Sequence, residues 1–241
     1  MALVATGLVK HFGGVKAVNG FDIGVERGEI VGLIGPNGAG KTTSFNLVTG
    51  RIIANSGSVL LDDHDVTRLR PWDRARLGLA RTFQHTSLFP ELTLEDNLEV
   101  AYAALGRPRR TRAARTEELA EVLLLSGADR KEQVRNLSYG FQRRVSIAIA
   151  LAGEPKYVLL DEPAAGLNPD ESAQLSTAVR KLAALDIGVI LVEHDLELVG
   201  TTTDRVVVLA AGATIFTGRF GEALRDEKVL DSYLGRKYRN A

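Results

Sequence analysis

The sequence predicts an α/β protein whose main sheet is largely parallel. Three short apolar runs, at residues 30–34, 157–160 and 187–192, alternate with segments of helical periodicity. Each run is continuous rather than alternating in polarity, which is typical of strands buried on both faces. Each also ends directly in polar or turn-forming residues. Because ligands bind beyond the carboxyl ends of strands in open α/β sheets, these three ends should form the walls of one site.

The remaining segments predict two additions to this sheet. Residues 1–30 and 57–66 have the composition of an antiparallel β flank with turns. Strand signals vanish after Pro90 and helical patterns replace them. We therefore divide the chain into a core that includes the β flank, at residues 1–89 and 153–241, and an inserted helical lobe, at residues 90–152.

Composition excludes several classes of protein. The 241 residues carry 30 basic and 30 acidic side chains, and 45% of them are apolar, as in an ordinary globular protein. A formal net charge of 0 argues against a dedicated nucleic-acid binder, which usually has a basic excess. The absence of cysteine excludes disulfides and thiolate chemistry. Since no apolar run is long enough to span a bilayer and the start does not fit a signal peptide, we expect a soluble, cytoplasmic chain.

A glycine-rich loop follows the first apolar run and fits the pattern G-x-x-x-x-G-K-[ST]. Successive N–H groups of such a loop point into one concavity that binds anions, and the helix that follows adds its positive N-terminal end. Lys41 brings a full charge to the β- and γ-phosphates, and the Thr42 hydroxyl is a hard ligand for Mg²⁺. The alternative is a glycine-rich turn between a strand and a helix. The predicted nucleotide-binding residues are Gly35, Pro36, Asn37, Gly38, Ala39, Gly40, Lys41, Thr42 and Thr43.

Two carboxylates end the second apolar run. Asp161 is predicted to hold the Mg²⁺ shell, which is the role of the Walker-B aspartate. Glu162 points to the other side of the strand because side chains alternate. It is therefore free to orient or deprotonate an attacking water, and a positioned base contributes roughly 10²–10⁴ in rate. A solvated strand end is the alternative, and it would be favoured if the phosphate loop were absent.

With these motifs in place, the sequence resembles the nucleotide-binding subunits of ABC transporters over nearly its whole length. The shared features are the two Walker motifs, Gln84, His194 and, between the Walker motifs, the segment 137–140. The resemblance implies a P-loop NTPase fold with a RecA-like core, and ATP and Mg²⁺ as its cofactors. Finer details are similar to the ATPases of branched-chain (hydrophobic) amino acid importers, namely Phe12-Gly13-Gly14, Arg81-Thr82-Phe83-Gln84, Leu137-Ser138-Tyr139-Gly140, Ala164-Ala165-Gly166-Leu167-Asn168-Pro169 and Ser232-Tyr233-Leu234-Gly235.

The resemblance implies further roles for three single residues. Phe12 should stack on adenine, an interaction worth about 1–3 kcal/mol per base, although a core phenylalanine is a real alternative. Gln84 should contact Mg²⁺ and the attacking water, since its amide can accept and donate; the alternative is a surface glutamine. His194 should contact the γ-phosphate and position Glu162. A lone histidine is more often structural, but this one ends a buried strand.

The resemblance also implies partners. Ser138 and Gly140 should cap the γ-phosphate held by a second subunit, with a hydroxyl, exposed N–H groups and a helix N-terminus facing the anion. The family does not fold this segment onto its own phosphate loop, so two subunits and two ATP are implied. So are two membrane permease subunits, an indirect solute-binding protein and a peripheral place on the cytoplasmic face of the cell membrane.

Asn168 and Phe141 depart from the family pattern. Asn168, followed by Pro169 and Glu171, predicts a capped helix start at a place where the family usually has aspartate and a contact across the dimer. Phe141 stands where the family mostly has a glutamine that reaches the sugar of the opposite nucleotide. A phenyl ring has no donor or acceptor to replace that bond. We therefore expect an active ATPase with a weaker ATP-driven dimer, which Phe141→Gln should tighten.

Two charged clusters have plain interpretations. The run at residues 62–65, Asp-Asp-His-Asp, could suggest a metal, but four polar residues between short strands are more often a turn. We assign no metal to it. Five arginines of the predicted lobe could contact anionic lipid headgroups, although a solvated helix face is the simpler interpretation; they are Arg107, Arg109, Arg110, Arg112 and Arg115.

The function predicted from these features is an ATPase subunit that drives import of branched-chain or hydrophobic amino acids through separate permeases. The alternative is the ATPase of an exporter, notably of the lipopolysaccharide-export type, and Arg81-Thr82-Phe83 favours the amino acid group. A cytosolic P-loop GTPase is disfavoured because the chain lacks the guanine-reading N-K-x-D motif. A non-transport cassette protein is disfavoured because the chain holds one cassette rather than two in tandem.

Overall fold

A computed structural model describes residues 1–82, 88–125 and 127–234 of the chain. The strands in these ranges are β1 (Ala2–Phe12), β2 (Val15–Glu26), β3 (Ile30–Ile34), β4 (Ser56–Leu61), β5 (His64–Asp65), β6 (Leu79–Arg81), β7 (Tyr157–Asp161), β8 (Gly188–Val192), β9 (Arg205–Ala210) and β10 (Ala213–Gly218). The helices are α1 (Lys41–Val48), α2 (Pro71–Arg76), α3 (Leu94–Ala104), α4 (Arg109–Val122), α5 (Tyr139–Leu151), α6 (Pro169–Ala184), α7 (Leu196–Thr202), α8 (Phe220–Ala223) and α9 (Glu227–Leu234). Short 3-10 turns lie at Ala128–Lys131 and Val134–Asn136.

The main sheet has the strand order β10-β9-β3-β8-β7-β6, and the strands from β9 to β6 run parallel. This confirms the predicted α/β fold. The three predicted strands are β3, β7 and β8, and every residue in them is buried, as expected where both faces of a sheet are covered. Their carboxyl ends lie side by side, so the polar residues that follow them meet at one edge of the sheet.

Alternate residues of the buried strands contribute to two separate hydrophobic layers. In β7, Val158 and Leu160 pack with apolar residues of α3, α5 and α6. Tyr157 and Leu159 point the other way and pack with apolar residues of α1, β1 and β2. The two-residue period of a strand thus lets one strand hold both layers together.

The predicted antiparallel flank is a second sheet with the order β2-β1-β4-β5. The run at residues 62–65 includes the turn between β4 and β5, where Asp62 and Asp63 have φ of 47° and 67°. Asx side chains tolerate this left-handed conformation better than most others, so the interpretation as a turn is confirmed. In the described residues no cluster of three His, Asp or Glu side chains could hold a metal ion.

The segment between β6 and β7 holds α3, α4, α5 and the two 3-10 turns. Its helical content agrees with an inserted lobe, while the boundaries at residues 90 and 152 stay a prediction. Among the helices of residues 1–82, 88–125 and 127–234, none has the length and apolar character that a membrane span needs.

A buried arginine fixes the far end of α1. Arg74 of α2 donates from Nη1 to the carbonyl oxygens of Leu47 (3.0 Å) and Val48 (2.5 Å). It also donates to the carbonyl oxygens of Thr67 (2.9 Å) and Leu69 (3.1 Å). The last carbonyls of a helix lack intrahelical partners, and a cation there also complements the helix dipole. Burial lowers the pKa of Arg74 to about 10, so the group is still charged at neutral pH.

We expect Arg74→Met to lower the free energy of unfolding by about 3 kcal/mol or more, because each buried carbonyl that loses its donor costs about 1–3 kcal/mol. Chemical denaturation followed by circular dichroism measures this change. The matched control is Arg76→Met on the same helix, where the side chain is 81% exposed. The control should change stability by less than about 0.5 kcal/mol. Equal effects of the two substitutions would contradict the anchoring role of Arg74.

Candidate active site

The loop between β3 and α1 packs too closely against its neighbours to carry larger side chains at two of its glycines. A Cβ atom at Gly35 would lie 2.1 Å from the carbonyl oxygen of Leu209 in β9. A Cβ at Gly40, where φ is 102°, would lie 2.6 Å from the carbonyl oxygen of Ala17 in β2. Glycine is therefore required at both positions, and the backbone of the loop is held between two sheets.

The lysine of this loop folds back onto the loop itself. Lys41 Nζ donates to the carbonyl oxygens of Gly35 (2.7 Å) and Pro36 (3.1 Å). Burial lowers the pKa of Lys41, and the nearby Glu162 carboxylate partly offsets this effect. The ammonium group is thus largely shielded from water, and these two acceptors are neutral carbonyl oxygens, so an anion at this loop would meet a poorly solvated cation.

A cavity of about 500 Å³ opens over the loop, which is within the usual range for small-molecule sites. Residues 37–43 line it, together with Glu162 and His194. The structure therefore brings together the predicted phosphate loop and the two predicted residues from the ends of β7 and β8. Residues 15–17 and 211–212 complete the walls, and these were missed because they carry no motif.

Asp161 is held by a buried arginine that the motif analysis did not connect to it. Arg81 Nη2 donates to Asp161 Oδ2 at 2.7 Å, and both side chains are only 9% exposed. Arg81 Nη1 also donates to Asn46 Oδ1 at 2.6 Å. A signal was available, since Arg81 ends β6 and β6 pairs in parallel with β7. The ends of neighbouring parallel strands lie close together, so Arg81 could have been placed beside Asp161.

Glu162 and His194 contact each other across the strand ends. His194 Nε2 lies 2.9 Å from Glu162 Oε1. The backbone of Glu162 is tied to β8 because its N–H donates to the carbonyl oxygen of Val192 at 3.0 Å. Glu162 has a φ of 47°, a strained value for a residue with a side chain and one that costs about 1–3 kcal/mol. The neighbouring strands thus hold this carboxylate in a fixed position facing the cavity.

Glu193 is a buried carboxyl group that sequence reasoning did not single out. Its Oε1 accepts from the Ala164 N–H at 2.6 Å, and its Oε2 accepts from the His194 N–H at 3.2 Å. It therefore links the loop after Glu162 to the loop that carries His194. Burial raises the pKa of Glu193 to about 7, although the two N–H donors favour its charged form.

The predicted γ-phosphate cap lies at the N-terminus of α5. Ser138 is the N-cap, and its Oγ accepts from the Phe141 N–H at 3.2 Å. The Gly140 N–H donates to Glu171 Oε1 at 3.1 Å. Neither Ser138 nor Gly140 is among the described residues that line the cavity over the phosphate loop.

The two aromatic residues of interest lie in different environments. Phe12 ends β1 and is 48% exposed, so it is not a core residue. It pairs with Val15, which lines the cavity over the phosphate loop. Phe141, by contrast, is buried among apolar residues of the helical segment. A glutamine there would bury an amide, so the expected gain from Phe141→Gln does not follow from this geometry.

Gln84 lies outside the described residues, so its contact with Mg²⁺ and the attacking water stays a prediction. Asn168 caps α6 as predicted: its Oδ1 accepts from the Glu171 N–H at 2.9 Å, and Glu171 Oε2 accepts from the Asn168 N–H at 3.3 Å. In the arginine cluster, Arg112 pairs with Glu99 and Arg115 with Glu118, each at 2.7 Å, and the two arginine side chains are 13% and 14% exposed. These two arginines are therefore engaged within the helical segment, and the contact of the cluster with lipid stays untested.

The fold and the site together define an ATP-hydrolysing protein of the P-loop class. Residues 18–165 match the model of the family described as ABC transporter. The chain is 38% identical over 250 residues to LivG of Escherichia coli K12 and 39% identical over 251 residues to BraF of Pseudomonas aeruginosa. Both relatives are described as high-affinity branched-chain amino acid transport ATP-binding proteins, and each alignment covers 97% of this chain and 97% of the relative. Among solved structures, the ADP conformation of MJ1267, an ATP-binding cassette of an ABC transporter, has a TM-score of 0.87 at 31% identity and covers 98% of this chain and 99% of that one. The chain belongs to the ABC transporter family.

We expect the stability of the Glu193→Gln variant to differ from that of the parent in its dependence on pH. The folded-state pKa of Glu193, about 7, exceeds its usual 4.5, so the folded chain binds more protons between these values. The contribution of Glu193 to stability therefore falls as the pH rises from about 4.5 to about 7, by on the order of 3 kcal/mol. Chemical denaturation of both chains across this range measures the difference.

The control for this prediction is Glu197→Gln, an exposed carboxylate four residues further along. Its stability should run parallel to that of the parent across the same pH range, because an exposed group is not desolvated on folding. If Glu193→Gln also runs parallel to the parent, burial does not perturb Glu193 and the prediction is wrong.

Proposed function

We propose that this ATPase powers the import of branched-chain or other hydrophobic amino acids through separate membrane permease subunits. The relatives LivG and BraF, whose names specify branched-chain amino acid transport, align with nearly the whole chain. The observation that carries the catalytic half of the proposal is the cavity in which Glu162 and His194 face the phosphate loop.

The geometry supports a division of roles within that cavity. The N–H groups of the loop bind the phosphates of ATP, and Lys41 exchanges its carbonyl partners for the β- and γ-phosphate oxygens. Glu162 orients or deprotonates the attacking water, and His194, 2.9 Å away, positions Glu162 and contacts the γ-phosphate. The exposed ring of Phe12 is available to stack on adenine.

The donor set suits a Mg²⁺ ion by its chemistry. Thr42, Asp161 and Gln84 would hold it, because hydroxyl, carboxylate and amide oxygens are the hard ligands that Mg²⁺ prefers. Mg²⁺ is usually bound by one or two carboxylates, with phosphate oxygens and waters completing the shell, so a cage of several carboxylates is not needed. When bound, the ion would neutralise charge on the phosphates during transfer.

The position of Ser138 and Gly140 supports action as a dimer. They lie outside the set of described residues that line the cavity over the phosphate loop, so they can serve the ATP of another subunit rather than that of their own. Two subunits facing each other would then hold two ATP between them. Binding ATP favours the closed dimer because these contacts exist only there, and hydrolysis removes them.

In this proposal the chain lies on the cytoplasmic face of the cell membrane and binds two permease subunits, while a solute-binding protein acts indirectly.

The test is to purify the tagged chain with its membrane partners and to reconstitute the complex in vesicles. ATP-dependent uptake of labelled leucine is the expected result, with the Lys41→Ala complex as the inactive control. A complex that hydrolyses ATP but moves no hydrophobic amino acid, with or without added solute-binding protein, would contradict the proposed substrate.

We expect Lys41→Ala to lower the affinity for ATP by roughly 100-fold, because a hydrogen bond to a charged group is worth about 1.5–3 kcal/mol and the loop loses its one full positive charge. Isothermal titration with ATP measures the change. Lys181→Ala is the control, since Lys181 lies on α6 and donates to the Glu121 carbonyl oxygen outside this cavity. An unchanged affinity for ATP in Lys41→Ala would contradict the role of Lys41 in binding the phosphates.

We expect Glu162→Gln to bind ATP normally and to slow hydrolysis by roughly 10²–10⁴-fold, the contribution of a positioned base. The stalled variant should accumulate as an ATP-dependent dimer in size-exclusion chromatography. The exposed Glu121, changed to glutamine, serves as the control and should hydrolyse at the parental rate. A Glu162→Gln chain that hydrolyses at that rate would show that Glu162 is not the base.

A further inference from the structure

A carboxylate of the same chain binds one of the donors that are assigned above to the γ-phosphate of a second subunit. Gly140 N–H donates to Glu171 Oε1 at 3.1 Å. Ser138, the N-cap of α5, also favours the charged form of this carboxylate and lowers the pKa of Glu171. A carboxylate oxygen thus accepts from a backbone donor that a phosphate oxygen of the second subunit would use.

The contact between Glu171 and Gly140 is close, and Glu171 is held in place by the start of its own helix. A Cβ at Gly140 would lie 2.7 Å from the Glu171 carboxyl carbon, so no side chain fits between the two. Glu171 is held from the other side by the capping box with Asn168 at the start of α6. The buried guanidinium of Arg144, which donates to Gln174 of α6 at 2.8 Å, adds a favourable charge near the carboxylate. This contact therefore joins the N-terminus of α5 to the N-terminus of α6.

We propose that Glu171 takes the place of the γ-phosphate in the free subunit: it holds the Gly140 N–H beside Ser138 and must release it when the ATP of a second subunit arrives. The inference rests on the proposed dimer. Two anions cannot share one set of donors without strong repulsion, so each closing event exchanges Glu171 for phosphate. The exchange opposes dimer closure and keeps the free subunit from presenting unpaired donors.

The test changes the charge of Glu171 and keeps its shape. Glu171→Gln retains a capping-box residue at the third position of α6, so the helix start is preserved. We expect the ATP-driven dimer to tighten about tenfold, equivalent to about 1.4 kcal/mol, because a neutral amide holds the donors less strongly and does not repel phosphate. The measurement is the dimer dissociation constant with saturating ATP, by analytical ultracentrifugation in the Glu162→Gln background.

The matched control is Asp170→Asn, which removes the same charge from the same turn of α6 at an exposed position. It should leave the dissociation constant within about twofold of the Glu162→Gln parent, and both variants should keep the parental affinity of the monomer for ATP. Equal tightening in the control would mean that net charge near the interface is responsible, and it would overturn the proposal.

The remaining outcomes separate the two hypotheses. If the Glu162→Gln parent forms a dimer with ATP and Glu171→Gln leaves that dimer equal or weaker, the dimer stands and the stand-in role of Glu171 is wrong. If the parent stays monomeric with ATP at every concentration tested, the proposed dimer fails, and the inference about Glu171 fails with it.

Discussion

The register between β7 and β8 is the constraint on which the site depends. Asp161 pairs with Val192 in this parallel ladder, and the N–H of Glu162 continues it to the Val192 carbonyl oxygen. Because side chains alternate along a strand, a slip of one residue would turn Asp161 to the opposite face of the sheet and would shift the Glu162 that follows it. The buried apolar side chains on both faces of β7 prevent such a slip, since it would also exchange the two hydrophobic layers.

The same edge of the sheet gathers charges that would be costly to bury alone. The Arg81–Asp161 pair, Lys41 and Glu193 are all largely removed from water. Each has partners: a carboxylate for Arg81, loop carbonyls for Lys41 and backbone N–H groups for Glu193. Removing one partner of a buried charge costs more than the pair itself contributes, so each of these groups depends on its own partners. The site is therefore a set of locally paired polar groups supported by an apolar sheet.

The buried strands and the phosphate loop were predictable because each follows from a short local pattern that has one physical interpretation. Continuous apolar runs identified the buried strands, and the glycine spacing with Lys41 and Thr42 identified the phosphate loop. Three features were missed: the Arg81–Asp161 pair, the link through Glu193 and the contact of Glu171 with Gly140. Each joins residues that are distant along the chain, and ordinary arginine or glutamate residues carry no local sign of their partners. The burial of Phe141 was missed for the same reason. The resemblance supplied the role of the glutamine that the family mostly has at this position, and it did not supply the packing of a phenylalanine in this chain.

The left-handed backbone of Glu162 sets two demands against each other at a single residue. A residue without a side chain would adopt this conformation freely, whereas glutamate holds it only because the neighbouring strand and loop impose it. Selection for thermal stability alone would therefore favour glycine at position 162, whereas the base role proposed for Glu162 requires the carboxylate. Backbone strain at Glu162 and the proposed role of its carboxylate therefore place opposite requirements on the same residue.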